Sequence, residues 1–185
     1  MPYFPAFLNI ENKEVVVIGG GKVAERKIEK LLLFKPRIKV IAPKITPLIE
    51  SLEKEGKLSI VRRRFILKDI ERAFLVIVAV NNIKLQKRVY MYCKKRNILC
   101  NAVDSPDFCT FIFPALVLRG DVVIGISTSG KVPALSRSLR EYVQRVLPED
   151  LEKIEEKLEN IRSSLPKGKK RQELMVKLSK RFLNL

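Results

Sequence analysis

The chain contains no histidine and no tryptophan. Without imidazole it lacks the commonest metal ligand and the one side chain whose ordinary pKa lies near neutrality. Acid–base chemistry must therefore fall to a carboxylate, lysine, tyrosine or cysteine. Cysteine is scarce. Cys93, Cys100 and Cys109 form no C-x-x-C pair, and an odd count fits no closed disulfide framework. They read as small buried hydrophobes in a reducing compartment, which makes the cytoplasm the default location. No apolar run approaches the roughly 18 residues needed to span a bilayer. No basic flank precedes an apolar stretch in Met1-Pro2-Tyr3-Phe4-Pro5, so neither a membrane partner nor a signal peptide is expected. Acidic residues are also in the minority, 20 against 37 Lys and Arg in 185 residues, a formal charge of +17. An excess of that size implies an anionic partner, which includes phosphate-bearing cofactors, polycarboxylates, nucleic acids and membrane surfaces.

What is present is an alternation of apolar runs and amphipathic stretches. Val15-Val16-Val17-Ile18 is continuous, β-branched and followed at once by glycines, as in a strand buried on both faces of a parallel sheet. Lys22 to Phe34 then carries Val23, Ile28, Leu31 and Leu32 among charged residues, the pattern of an amphipathic helix. Strands are expected at Ile38–Ala42, Leu58–Val61, Leu75–Ala79 and Ile98–Asn101, with helices at Ile45–Lys54 and Leu85–Arg96 between them. Such alternation builds βαβ units with right-handed crossovers, a Rossmann-type α/β fold. After Pro114 the pattern changes. Ala115–Leu118 and Val122–Ile126 read as a hairpin about Arg119-Gly120-Asp121, and a helix opens near Pro133. Two charged helical stretches follow Pro148. The expected domains are 1–113, 114–146 and 147–185.

Gly19, Gly21 and Ala24 match G-x-G-x-x-[GA] within Gly19-Gly20-Gly21-Lys22-Val23-Ala24. The first allows a tight turn, the second lets the backbone approach a pyrophosphate, and the third lets helix and strand pack closely. The amides and positive dipole end of the helix starting at Lys22 and Val23 would face the phosphates. The motif lies between a buried strand and an amphipathic helix, the context it requires. The acidic residue that usually holds the ribose is missing. Ala42-Pro43-Lys44 stands there, so Pro43 and Lys44 would meet the ribose through backbone groups or the ammonium. Lys44 could equally meet a 2′-phosphate, and the residues leave NAD and NADP open.

Two other loops follow strands. In open α/β sheets the carboxyl ends of the strands face the ligand crevice, and Asp104 in Asn101-Ala102-Val103-Asp104-Ser105-Pro106 occupies such an end. It suits a general base or substrate anchor. It equally suits an Asx-turn, since Asp-Ser-Pro is ordinary turn chemistry. Ser127, Thr128, Ser129 and Lys131 could form an anion cradle or a capping cluster for the helix near Pro133. Position decides neither case.

Together these strings resemble the siroheme synthase family, specifically its precorrin-2 dehydrogenase/sirohydrochlorin ferrochelatase domain. Phe7-Leu8-Asn9 and Val16–Lys27 carry the resemblance first, then Val40-Ile41-Ala42-Pro43, Asn101–Asp104, Phe111–Ala115 and Ile126–Arg137, over about residues 3 to 145. The resemblance implies an NAD-binding domain, a dimerisation segment and a small helical C-terminal domain. It also implies NAD-dependent oxidation of a tetrapyrrole, precorrin-2, to sirohydrochlorin, with Fe²⁺ or Co²⁺ as a transient substrate where chelation also occurs. No resident metal is expected. Asp104 becomes the key catalytic residue, while Asn101, Ser127, Thr128, Ser129 and Lys131 fall at the substrate. Where many members carry Ala-Thr-Asp, this chain has Ala79-Val80-Asn81 beside the cofactor, one carboxylate fewer. The alternatives are a dehydrogenase without chelatase activity, or a nicotinamide-sensing regulator whose cluster Lys167–Arg171 meets nucleic acid. The tail shows neither a helix-turn-helix pattern nor interleaved aromatics, so no nucleic acid is expected.

Overall fold

A computed structural model describes residues 3–183. Met1 and Pro2, which open the N-terminal reading, and Asn184 and Leu185, which close the tail, lie outside the described residues. Two compact units divide after Phe113.

The first unit contains β1 (Glu14–Ile18), α1 (Lys22–Leu32), β2 (Arg37–Ile41), α2 (Pro47–Lys54), β3 (Leu58–Val61), β4 (Leu75–Val78), α3 (Ile83–Lys95) and β5 (Leu99–Ala102). Short 3₁₀ turns stand at Leu67–Ile70 and Pro106–Phe108. The sheet runs in the order β3-β2-β1-β4-β5 with every pairing parallel. Alternate residues of β1 serve opposite faces. Val15 and Val17 join Ala24, Ile28 and Leu31 of α1 and Ile49 of α2 in one core layer. Val16 and Ile18 join Val89 and Cys93 of α3 in the other. That two-sided burial is why β1 reads as an unbroken apolar run rather than an alternating one.

Local chemistry shifts several expected boundaries. α2 begins at Pro47, not Ile45, because the proline ring holds Thr46 extended (φ −78°, ψ 157°). α3 begins two residues earlier than expected because Asn82 caps it, its Oδ1 accepting from Leu85 N at 3.0 Å. α1 stops at Leu32. The amides of Phe34 and Lys35 turn back to Leu31 and Leu32 carbonyls, and Lys35 adopts φ 51° ahead of Pro36. Ile98 stays out of β5, since Asn97 in the left-handed region lets Ile98 N bond Cys93 O and close the helix.

The second unit holds the antiparallel hairpin β6 (Ala115–Arg119) and β7 (Val122–Ile126), then α4 (Pro133–Val146), α5 (Leu151–Ser164) and α6 (Lys169–Phe182). α5 packs against the hairpin tip: Asp121 N donates to Glu155 Oε2 at 3.1 Å, and Gly120 lies so near Glu152 and Glu155 that a Cβ there would press on both. No described helix is long and apolar enough to cross a membrane.

Candidate functional site

In the first unit β1 is flanked by β2 and β4, so the chain leaves the sheet in opposite directions on either side of it. A crevice opens at the carboxyl ends of the strands at such a reversal. The loops that leave the sheet at this edge include 19–21, 42–46, 79–82 and 103–105.

Gly19 turns the chain sharply. It has φ +110°, donates its amide to Ile41 O at 2.9 Å, and lies so close to the Ala79 carbonyl that no side chain fits. Gly20 is equally confined, with Lys44 O 2.5 Å from where its Cβ would sit. Its carbonyl accepts from Thr46 N at 2.9 Å, which fastens the loop carrying Pro43 and Lys44 against the turn. Gly21 differs. Its backbone is ordinary (φ −86°, ψ −176°), it caps α1 without any side-chain hydrogen bond, and a Cβ would meet nothing within 4 Å. Open space therefore lies over the first turn of α1, where the amides of Lys22, Val23 and Ala24 precede the first i→i−4 bond, Glu25 N to Gly21 O at 3.0 Å. A cradle of unencumbered amides at the positive end of a helix fits a dinucleotide pyrophosphate. Lys22 adds a cation and pairs with the buried Glu25 at 2.9 Å. Thr46 and Lys22 hold the Glu25 carboxyl below the ordinary carboxylate range.

Pro43, Lys44 and Asn81 are exposed, and Ala79 and Val80 are half-buried. Val80 Cγ1 comes within 3.1 Å of the space beside Gly19. The five residues therefore border the glycine turn from its two neighbouring loops. Lys44 makes no ion pair among the described residues.

Asp104 stands at the end of β5, exposed, with φ +61°. Its carboxylate takes part in no hydrogen bond or ion pair among the described residues, so the turn is not built on an Asx bond. Neighbouring groups hold the loop instead. Val103 N donates to Val78 O at 3.0 Å, Ser105 N to Ala102 O at 3.3 Å, and the Cys109 thiol to the Ala102 and Ser105 carbonyls at 3.3 Å each.

Asn101, expected at the substrate, turns inward. It is 7% exposed, and its Nδ2 donates to Phe111 O at 3.1 Å and to Cys109 Sγ at 3.5 Å. It pins the returning segment 109–111 along the free edge of β5, beside an antiparallel bridge to Cys109. In the second unit the cradle expected at 127–131 is largely used up. Ser129 N donates to Ser127 Oγ (2.9 Å), Val132 N to Thr128 Oγ1 (3.1 Å), Lys131 N to Thr128 O (3.1 Å) and Ser136 Oγ to Thr128 Oγ1 (3.2 Å). These groups shape the turn into α4, where Ser129 and Gly130 take positive φ. Lys131 remains exposed.

Two residues near Asp104 escaped the sequence reading. Lys27 of α1 lies half-buried with Nζ 4.0 Å above the Phe113 ring. Burial, reinforced by Lys30 and partly offset by Cys109 and Asp104, pushes its ammonium down to about 8. Its only signal in the sequence is a charge set four residues after Val23 and four before Leu31, within the apolar stripe. Gln86 is buried on α3 and carries no signal in the sequence.

Comparison with known proteins bears on the family and the fold. A siroheme synthase of Baumannia cicadellinicola subsp. Homalodisca coagulata is 40% identical over 148 residues, 80% of this chain and 32% of that protein. Siroheme synthase 1 of Serratia proteamaculans (strain 568) is 36% identical over 151 residues, 82% of this chain and 32% of its own length. The chain thus spans about a third of these relatives. The solved structure of SirC, precorrin-2 dehydrogenase, superposes with a TM-score of 0.79 at 26% identity, covering 95% of this chain and 89% of that one. A family profile described as "Putative NAD(P)-binding" matches residues 6–115, the stretch that holds the whole parallel sheet and the glycine turn. With more than half its length in that match, the chain belongs to this NAD(P)-binding family.

Proposed function

We propose that the chain oxidises precorrin-2 to sirohydrochlorin with NAD, as a module of siroheme biosynthesis. The observation that carries the reading is a carboxylate without a partner among the described residues, Asp104, held in a left-handed loop at the same strand edge as the amide cradle of α1. The likeness to SirC and to the siroheme synthases supplies the substrate class.

The reaction removes one hydride and one proton: precorrin-2 and NAD⁺ give sirohydrochlorin, NADH and H⁺. Bound NAD supplies the hydride acceptor. The turn at Gly19–Gly21 and the amides of Lys22, Val23 and Ala24 would hold its pyrophosphate. Pro43 and Lys44, and on the other side Ala79, Val80 and Asn81, would hold its nucleoside portions. Asp104 accepts the proton, a task that cannot fall to histidine, which the chain lacks. Lys131 and the +17 surface attract the carboxylate-rimmed macrocycle. Ser127, Thr128 and Ser129 serve the substrate through the turn they form. Asn101 serves it by supporting the segment beside Asp104. Where Fe²⁺ or Co²⁺ is inserted, the metal is a substrate that displaces two pyrrolic protons, of which Asp104 takes up one and solvent the other.

A homodimer is supported by α4, whose exposed Leu135, Leu139, Tyr142 and Val146 recur at three- and four-residue spacing. The free cysteines suit a reducing cytoplasm. Within the second unit, 114–146 forms the dimerisation segment and 147–185 a helical C-terminal domain.

Incubation with precorrin-2 and NAD tests the reading. NADH and the sirohydrochlorin spectrum appear with the wild type. With Asp104→Ala they do not, while NAD affinity stays within about threefold. Wild-type turnover in that variant overturns the role of Asp104. Adding Fe²⁺ or Co²⁺ to sirohydrochlorin then separates a dehydrogenase from a dehydrogenase–chelatase.

A further inference from the structure

We infer that Gln86 is a positioning residue that locks the Asp104 loop to the loop following β4. The inference rests on the proposed role of Asp104 as proton acceptor. Gln86 is 5% exposed, deep in the first half of α3. Its carboxamide offers two N–H groups and one carbonyl oxygen, and all are used. Nε2 donates to Val80 O at 2.9 Å and to Val103 O at 3.3 Å, and Oε1 accepts from Ser105 Oγ at 2.6 Å.

Two of these partners, Val103 and Ser105, are the residues on either side of Asp104. The third, Val80, lies in the loop that borders Gly19. One side chain therefore ties together the loop carrying the base and a loop beside the cofactor cradle. Asp104 needs such a restraint. A non-glycine residue at φ +61° is strained and persists only where its surroundings over-determine it. The other bonds on this loop, from Cys109 and from Val103 N, reach β4 and β5 but not the 79–82 loop. Hydride and proton leave the same substrate, so acceptor and base must keep a fixed spacing. A displacement of about 1 Å in such a constellation costs roughly 100-fold in rate.

Gln86→Met keeps the volume and removes all three bonds. Ser105→Ala removes one and leaves the helix untouched. Both are tested by amide hydrogen exchange over residues 103–105 and by steady-state NADH formation from precorrin-2. With Gln86→Met, exchange in that segment rises at least tenfold and kcat falls about 10- to 100-fold, while KM and NAD affinity stay within about threefold. Ser105→Ala gives a smaller fall, and the double variant is no worse than Gln86→Met alone. Unchanged exchange in both single variants overturns the clamp. Loosened exchange with wild-type kcat, or a change confined to KM, overturns the positioning role. If the wild type makes no NADH but Gln86→Met loosens the segment, the clamp stands and the reading of the reaction falls.

Discussion

Gly19 and Gly21 sit two residues apart in one motif, yet replacing each with alanine is expected to break a different property. At Gly19 a Cβ meets the Ala79 carbonyl at an impossible distance, and φ +110° is a conformation that L-residues rarely adopt. Backbone strain alone costs about 1–3 kcal/mol, and moving the end of β4 aside adds to it. Gly19→Ala should therefore destabilise the fold by at least about 3 kcal/mol, or roughly 6–12 °C in Tm for a chain of this size. At Gly21 the backbone is already in a region open to alanine, and the new Cβ touches nothing. The entropy gained from a stiffer unfolded chain, about 0.4–1 kcal/mol, offsets a poorer N-cap, so Tm should move by no more than about 3 °C. That Cβ would nevertheless stand in the open space over the amides of residues 22–24. Losing one charge-assisted phosphate contact costs about 1.5–3 kcal/mol, or roughly 10- to 100-fold in NAD affinity. Thermal unfolding and NAD titration by calorimetry on both variants check the pair. A Gly21→Ala protein that binds NAD as tightly as the wild type refutes the amide cradle. A Gly19→Ala protein of unaltered Tm refutes the packing of the turn against β4.

Lys27→Met should change how stability depends on pH. The folded ammonium titrates near 8 and the unfolded one near 10.5, so between these values the unfolded chain binds more protons and wild-type stability rises with pH. The wild-type-minus-variant difference in denaturant unfolding should be flat below pH 8 and climb towards 10.5; a difference that falls across this window contradicts the burial of Lys27. Leu139→Glu puts a charge in the centre of the exposed stripe of α4 and should convert a micromolar dimer to monomer by light scattering. A wild type already monomeric at that concentration removes the dimer proposal.

The parallel sheet was legible because its signals are local. Val15–Ile18 is apolar without interruption since both faces are covered, and the glycine spacing after it is imposed by one turn. The helix starts were less legible, because Pro47 and Asn82 act through backbone geometry and a single side-chain bond rather than through periodicity. At the site, the glycine motif could be read directly, whereas Asp104 was marked out by its place at a strand end and by the resemblance. The fate of the hydroxyls at 127–128 could not, because whether they meet a ligand or their own turn depends on the φ values at Ser129 and Gly130.

By itself the amino-acid order determined which segments form strands and helices, where phosphates could be received, and that any base must be something other than histidine. Only the folded chain decided that Asn101 faces inward, that Lys27 lies over Phe113, and that Gln86 reaches both loops. The partners of Asn101 and Gln86 lie 6 to 19 residues away in the chain. Parallel pairing of β4 with β5 brings the two loops held by Gln86 side by side. A hydrogen bond depends on ångström-scale approach, and no periodicity along a chain encodes that.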